Sequence, residues 1–405
     1  MKNKKRKPWM RTRHKVVRFL LFILLYPYVR LRYGLRIERF REQEKRPYLI
    51  LYNHQTPFDQ FFIGMTFRGA VYYLATEDIF SMGWVSSVIR YLVAPIPIKK
   101  QATDVSAVMN CIRVAREGGT IAIAPEGNRT YSGKTEHMSP SIAPLAKKLG
   151  LPIAFVRIEG GYGVQPRWSD VIRRGRMSVR VSRVLSPEEY ADMTADELFS
   201  VIRTELDVNE GCVSGRFLHK RCAEYLERAI YVCPTCGFSR LESDKDTFRC
   251  TGCGLRVRYT ETKELLPLEG SLPFRFVNDW YDYQCAFVRA TDTAALTEAP
   301  LYIDTVSMHE VIVHKKKQRL HEEVSLELFG DRLALTPAEG EREQWRFADI
   351  RVMAICGRNK LNVYYGEHVY QFKGAPRFCA LKYVNLYYNS KTEKETDADG
   401  KFLGL

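Results

Sequence analysis

The chain has 405 residues, 45% apolar and 27% charged, a balance that excludes wholesale disorder and a polytopic membrane protein. At roughly 100–200 residues per domain it has room for two or three domains, and it is long enough to need no disulfide staples. Net charge is +15, but residues 1–46 hold sixteen Lys and Arg against three Glu, leaving a nearly neutral body that does not look like a basic nucleic-acid-binding domain.

The basic N-terminal residues (Lys2, Lys4, Lys5, Arg6, Lys7) lead into an apolar run from Val16 to Val29, interrupted by Arg18. The run is short of the about twenty apolar residues a spanning helix needs. It ends in Tyr26-Pro27-Tyr28-Val29-Arg30, without the small-residue site that a secretory signal requires. The expectation for 1–46 is a helix lying in the membrane interface, with its cations among anionic headgroups and Trp9, Tyr26 and Tyr28 at the boundary. A buried helix of a soluble fold is the competing expectation.

Residues 47–210 alternate short apolar runs with helical patterns. Tyr48–Tyr52, Ala70–Leu74, Thr120–Ala124 and Pro152–Val156 read as strands, and Ser178–Val181 alternates. Val105, Val108, Met109, Ile112 and Ala115 fall at helical spacing before the stop Gly118-Gly119. Further helix is expected from Ser186 and over Thr194–Leu206. The fold class is therefore α/β, a mainly parallel sheet flanked by helices, with chemistry expected in loops at strand ends.

Two such loops carry reactive residues. After the first strand comes Asn53-His54-Gln55-Thr56-Pro57-Phe58-Asp59. Thr56-Pro57 is a good helix start, so Asp59 could do no more than complete a capping box. With His54 in the loop and Asp59 in the first turn, the two can also meet. A carboxylate on one imidazole nitrogen fixes the tautomer and frees the other nitrogen as a general base. After a later strand comes Ala124-Pro125-Glu126-Gly127-Asn128-Arg129-Thr130. Here Gly127 permits a tight turn, Arg129 suits a phosphate, and Glu126 suits an anchor for Arg129 or a hydroxyl ligand.

Residues 211–265 hold an expected helix over 214–231 and then two knuckles, Cys233-Pro234-Thr235-Cys236 and Cys250-Thr251-Gly252-Cys253. Two Cys-x2-Cys pairs, each followed by Gly, match a structural zinc site on a small zinc ribbon, with Leu241–Ser243 and Thr247–Arg249 as its hairpin. Arg240, Lys245 and Arg249 balance Glu242, Asp244 and Asp246, so the ribbon is neutral. The other six cysteines are scattered, which suits a reducing compartment. Six histidines (His137, His219, His309, His314, His321, His368) show no ligand spacing and are expected at the surface. Residues 266–299 read as a linker and 391–405 as a polar tail. Between them, 300–390 show hairpins around Gly330-Asp331 and Gly366-Glu367, and a closing helix from Pro376 with Phe378, Leu381, Val384 and Tyr388 on one face. That order resembles a pleckstrin-homology-like or GRAM-like antiparallel β-barrel capped by a helix. Lys315-Lys316-Lys317 within it reads as a solvated run or a headgroup patch.

Together, His54-x4-Asp59 and Pro125-Glu126-Gly127-Asn128-Arg129 resemble the glycerolipid acyltransferase family typified by lysophosphatidate (1-acylglycerol-3-phosphate) acyltransferases. Ala94-Pro95-Ile96-Pro97-Ile98-Lys99-Lys100 resembles the family's block between them, and Leu151–Val156 the strand that follows. The likeness covers roughly residues 35–210. It departs where Lys100 stands for the usual Arg, Asn128 for the common Thr, and Ala75-Thr76-Glu77-Asp78 lacks a Lys. The resemblance implies His54 and Asp59 as catalytic pair, and Lys100, Glu126, Gly127 and Arg129 as acceptor-binding residues. It implies acyl-CoA or acyl-carrier protein as donor and lysophosphatidate as acceptor, giving phosphatidic acid at the cytoplasmic face of the cell membrane as a monotopic or peripheral protein. Glycerol 3-phosphate or another lysolipid is the alternative acceptor. A nucleic-acid-binding zinc-ribbon protein is the alternative of a different class.

Overall fold

The structure is a computed structural model that describes residues 8–41, 46–80, 83–98, 105–212, 215–312 and 317–392. Helix α1 (Thr12–Tyr33) precedes β1 (Leu35–Ile37), β2 (Leu49–Tyr52), α2 (Asp59–Thr66), β3 (Val71–Thr76) and the short α3 (Glu77–Phe80). Then follow α4 (Trp84–Val93), β4 (Ile96–Ile98), α5 (Val105–Arg116), β5 (Thr120–Ile123), α6 (Ile142–Leu149), β6 (Ile153–Glu159), α7 (Gly161–Val164) and β7 (Met177–Leu185). Helices α8 (Pro187–Tyr190) and α9 (Ala195–Leu206) close the unit, each started by a capping box.

The strands form one sheet in the order β1-β7-β6-β2-β5-β3-β4. All neighbours run parallel except β6 and β7. Alternation along the central strands sends side chains to two separate cores. Leu49, Leu51, Ile121 and Phe155 pack with Cys111, Ala143 and Ile202 of the helices on one side. Ile50, Tyr52, Ala122 and Val156 pack with Val29, Tyr33 and Phe62 on the other.

Helix α1 is half partner and half surface. Val29 and Tyr33 are buried, and His14 Nδ1 meets Tyr72 Oη at 3.0 Å. Arg18 donates to the carbonyls of Gly64 and Phe67. Leu20, Ile23, Leu24 and Leu31 are exposed, as are Trp84, Val88 and Tyr91 of α4, a helix that contacts α1. Trp9, expected at a membrane boundary, instead packs on the protein and donates Nε1 to the Ala94 carbonyl at 3.0 Å. Lys2, Lys4, Lys5, Arg6 and Lys7 lie outside the described residues. No helix among the described residues is long and apolar enough to cross a membrane.

Residues 214–231 were expected to be helical. The described part holds turns and a single 3-10 turn, Leu226–Arg228. The backbone is drawn instead to the next hairpin: Ala223 N donates to Lys245 O, Tyr225 N to Ser243 Oγ, and Glu227 accepts from Ser243 N. These tertiary bonds outcompete helical propensity.

The small strands β8 (Val232–Cys233) and β9 (Gly237–Phe238) pair with each other, and β10 (Leu241–Asp244), β11 (Thr247–Cys250), β12 (Arg256–Tyr259) and β13 (Leu265–Glu269) form an antiparallel sheet. Where a linker was expected stands α10 (Val277–Ala290), with Trp280, Tyr281 and Val288 buried. Trp280 Nε1 bonds Val232 O at 2.8 Å, and the Gln284 side chain accepts from Tyr231 N and Val232 N.

The last sheet comprises β14 (Tyr302–Glu310), β15 (Gln318–Leu328), β16 (Arg332–Pro337), β17 (Glu343–Arg346), β18 (Ile350–Cys356), β19 (Lys360–Tyr365) and β20 (His368–Gly374). It is antiparallel throughout, in the order β17-β16-β15-β14-β20-β19-β18, and α11 (Ala380–Thr392) packs against it. One continuous core runs from Cys233 and Cys250 through Trp280 to this sheet and α11. His368, expected alone at the surface, pairs with Glu310 at 2.6 Å.

Candidate functional site

Two loops meet at the carboxyl ends of the neighbouring parallel strands β2 and β5. After β2, Asn53 is fully buried and braces the loop against β6, donating Nδ2 to Ile158 O and accepting from Ile158 N, both at 2.8 Å. His54 follows, and its Nδ1 stands 2.8 Å from Asp59 Oδ2. Asp59 has no exposed surface, whereas the His54 side chain is 21% exposed.

The Asp59 carboxylate is held from every side. Oδ2 accepts from Gln55 N at 2.7 Å and Thr56 N at 2.9 Å, and Oδ1 accepts from Thr56 Oγ1 at 2.6 Å. The helix starts at Asp59, with Phe58 and not Thr56 as its N-cap, and the bonds from Thr56 and the pairing with His54 coexist in one carboxylate. This happens because Asp59 is the first residue of α2 and its carboxylate turns back into the preceding loop, where the N–H groups of Gln55 and Thr56 face it. Such a carboxylate anchors His54 Nδ1–H and leaves Nε2 to take a proton.

Glu126 lies three residues beyond the end of β5 and is 1% exposed. Its Oε1 accepts from His54 N at 2.9 Å and Oε2 from Glu136 N at 3.0 Å. The carboxyl thus ties the His54 loop to the Glu126 loop, and no hydrogen bond joins it to Arg129 among the described residues. Burial pushes its pKa up to about 8, against the pull of those two N–H bonds. Thr130 N donates to His54 O as a second tie. Gly127 sits at φ +65° in the turn, a conformation that favours glycine.

Arg129 points inward, and its Nη1 is buried with no hydrogen-bond partner. Arg167 donates Nη1 to Arg129 O at 2.8 Å and Nη2 to Asn128 Oδ1 at 3.4 Å. Its guanidinium stacks on the Tyr131 ring, 4.3 Å from the centroid. Lys100 lies outside the described residues, although β4 of its block is in place beside β3. No local motif marks Arg167, because its role comes from the return of the chain between α7 and β7.

The four cysteines Cys233, Cys236, Cys250 and Cys253 bring their sulfurs within 4.8 Å of one another, in the one such cluster among the described residues. Cys233 Sγ to Cys253 Sγ is 3.6 Å, and Cys236 Sγ to Cys250 Sγ is 3.9 Å. Zinc–sulfur bonds of about 2.3 Å in a tetrahedron put sulfurs about 3.8 Å apart, so the cluster fits a metal ion of that kind.

Residues 35–159 match the family model described as Acyltransferase. Over 206 residues the chain is 21% identical to the chloroplastic 1-acyl-sn-glycerol-3-phosphate acyltransferase of Arabidopsis thaliana, covering 48% of this chain and 54% of that protein. It is 20% identical over 138 residues to the 1-acyl-sn-glycerol-3-phosphate acyltransferase of Bacillus subtilis, covering 34% of this chain and 65% of that one. The chain thus spans between half and two thirds of the length of these relatives. Among solved structures, the 1-acyl-sn-glycerophosphate acyltransferase of Thermotoga maritima aligns at a TM-score of 0.37 and 18% identity, over 47% of this chain and 90% of that one.

Proposed function

From a chain whose residues 35–159 form an acyltransferase-family domain, we propose a membrane-associated enzyme that moves a fatty acyl group from acyl-CoA or acyl-carrier protein to the free hydroxyl of lysophosphatidate. The product is phosphatidic acid. The observation that carries this reading is the His54–Asp59 pair, 2.8 Å apart at a strand end and braced by backbone bonds. Residues 47–210 are the catalytic unit in this scheme.

His54 Nε2 takes the proton of the acceptor hydroxyl as its oxygen attacks the thioester carbonyl. Asp59 holds Nδ1–H and stabilises the imidazolium that forms. The tetrahedral intermediate collapses to the ester, the carbon–sulfur bond breaks, and the leaving thiolate takes the proton back from Nε2. No acyl-enzyme is needed. Arg129, with Lys100 of the neighbouring block, binds the acceptor phosphate and so positions the hydroxyl. The direct contacts of Glu126 are with the backbone of both loops, so it keeps the base and the phosphate site in register instead of touching the acceptor. Cys233, Cys236, Cys250 and Cys253 would hold zinc, which would supply structure, since four thiolates would leave no position open for a substrate.

The outward apolar side chains of α1 and α4 lie in the interface of the bilayer that holds acceptor and product, on the cytoplasmic face. Arginine recognition of a phosphomonoester fits glycerol 3-phosphate as well as lysophosphatidate, which keeps that acceptor as the second reading. The test is acyl transfer by membranes carrying the protein, with lysophosphatidate or glycerol 3-phosphate offered alongside both donors. Transfer that disappears in His54→Ala is expected. Transfer that survives it removes the assignment.

A further inference from the structure

A guanidinium from the far end of the chain reaches the segment that follows Arg167. Arg358 sits on the turn between β18 and β19, and its Nη1 reaches Asp170 Oδ1 at 2.8 Å, three residues beyond Arg167. Asp170 is already engaged by the buried Arg228, which bonds both carboxylate oxygens at 2.7 and 3.2 Å. One carboxylate therefore serves two guanidinium groups. Neither Arg129 nor Arg167 makes an ion pair among the described residues.

Positive charge accordingly accumulates around the unpartnered Nη1 of Arg129. Burial, and then the charges of Arg167 and Arg358, push the Arg129 guanidinium down to about 9, while Asp59 pulls the other way. Asp170 follows the turn of Arg167, closed by Ser169 N on Pro166 O, and Arg167 donates to Arg129 O, so Arg358 is tied to the Arg129 loop through Asp170 and Arg167. Like charges crowded in a low-dielectric setting are costly unless an anion joins them.

The turn that carries Arg358 is fixed in place. Gly357 adopts φ +66°, Asn359 Nδ2 donates to Gly374 O at 2.7 Å, and Gly374 N returns a bond to Asn359 O. The segment that follows is locked to the same ion-pair network, with Arg228 Nε on Pro376 O at 2.6 Å. The guanidinium is held in place while remaining 30% exposed.

Resting on the acyltransferase reading above, we propose that Arg358 is an acceptor-binding residue, supplied by the C-terminal sheet to complete with Arg129 and Arg167 the site for the acceptor's phosphomonoester. The acyltransferase unit then binds its anionic acceptor fully only with the C-terminal sheet docked against it.

The test compares Arg358→Ala, Arg358→Lys, Arg129→Ala and His54→Ala in the full-length protein, with oleoyl lysophosphatidate and with uncharged mono-oleoylglycerol as acceptors. Loss of a charged hydrogen bond to phosphate corresponds to about a ten- to hundredfold rise in KM. That rise is expected for lysophosphatidate in Arg358→Ala, with kcat little changed, partial recovery in Arg358→Lys and no rise for mono-oleoylglycerol. Calorimetry with glycerol 3-phosphate as probe should show a parallel loss of affinity independent of turnover. An Arg358→Ala protein with unchanged KM and unchanged probe affinity overturns the inference, as does one whose loss is equal for charged and uncharged acceptors. A wild-type protein that binds no glycerol 3-phosphate overturns it too. Activity that persists in His54→Ala marks a different failure, that of the acyltransferase reading itself.

Discussion

If Asp59 acts on catalysis through His54, the two residues must be non-additive, and the structure sets the scale. His54→Ala removes the base and should lower kcat by about 10²–10⁴-fold. It should change thermal unfolding little, because the carboxylate of Asp59 keeps its bonds from Gln55 N, Thr56 N and Thr56 Oγ1. Asp59→Asn keeps an acceptor for His54 but removes its charge. A charged hydrogen bond contributes about 1.5–3 kcal/mol net and a neutral one about 0.5–1.5, so the loss is about 1–1.5 kcal/mol, close to tenfold in kcat. The amide also turns one N–H toward a ring of donors, which should lower stability by about 1–3 kcal/mol. Initial rates of labelled acyl transfer, taken well below the unfolding temperature of each variant, complete the double-mutant cycle. In the His54→Ala background, Asp59→Asn should cost nothing further in rate while costing the same stability. A tenfold loss in both backgrounds would refute the idea that Asp59 works through the imidazole.

Three further outcomes follow from the same geometry. One zinc ion per chain is expected by elemental analysis, and its removal by chelator or Cys250→Ser should lower the unfolding temperature of the whole C-terminal half, because Cys233 and Cys250 belong to the core shared with Trp280 and the last sheet; folded, metal-free protein with an unshifted transition would contradict this. Leu24→Glu and Trp84→Glu, at side chains 71% and 78% exposed, should each weaken binding to anionic vesicles by about tenfold or more without altering stability; undiminished sedimentation with vesicles would exclude this face as the docking surface. Burial raises Glu126 to about 8 from an ordinary 4.5, so between those pH values the native state holds a proton that the unfolded chain has lost. The stability it contributes is complete below about pH 4.5 and declines as pH rises through 8. Glu126→Gln should flatten that part of the urea-unfolding profile, and an identical slope in the variant would count against the assigned cause.

Much of the geometry of the candidate site was legible in the sequence because it is local. His54 and Asp59 are separated by one loop and the first turn of a helix, so the residues between them suffice to bring imidazole and carboxylate together. The cysteine pairs are likewise built by tight turns with glycine behind each. Alternating apolar runs announced the strands of a sheet buried on both faces, and the hairpins around Gly330 and Gly366 announced theirs. Helix α10 carried a readable signal as well: Val277, Trp280, Tyr281, Gln284 and Val288 recur at helical spacing on its buried face.

Other features had no local signature. Glu126 looked like a substrate ligand, but its partners are the backbone N–H groups of His54 and Glu136, and the tie to His54 depends on β2 and β5 being parallel neighbours. Residues 214–231 had helical spacing, yet Ala223, Tyr225 and Glu227 bond to the β10–β11 hairpin, and tertiary pairing outweighs a propensity of a few tenths of a kcal/mol per residue, on the order given by host–guest scales. Arg167 reaches the Arg129 carbonyl, and Arg358 reaches Asp170, only because segments far apart in the chain fold against one another. Sequence alone determines what is set by neighbours along the backbone, where a few dihedral angles decide the outcome. Convergent charge belongs to the tertiary structure, because the cost of gathering cations is met by burial and packing contributed from every part of the fold.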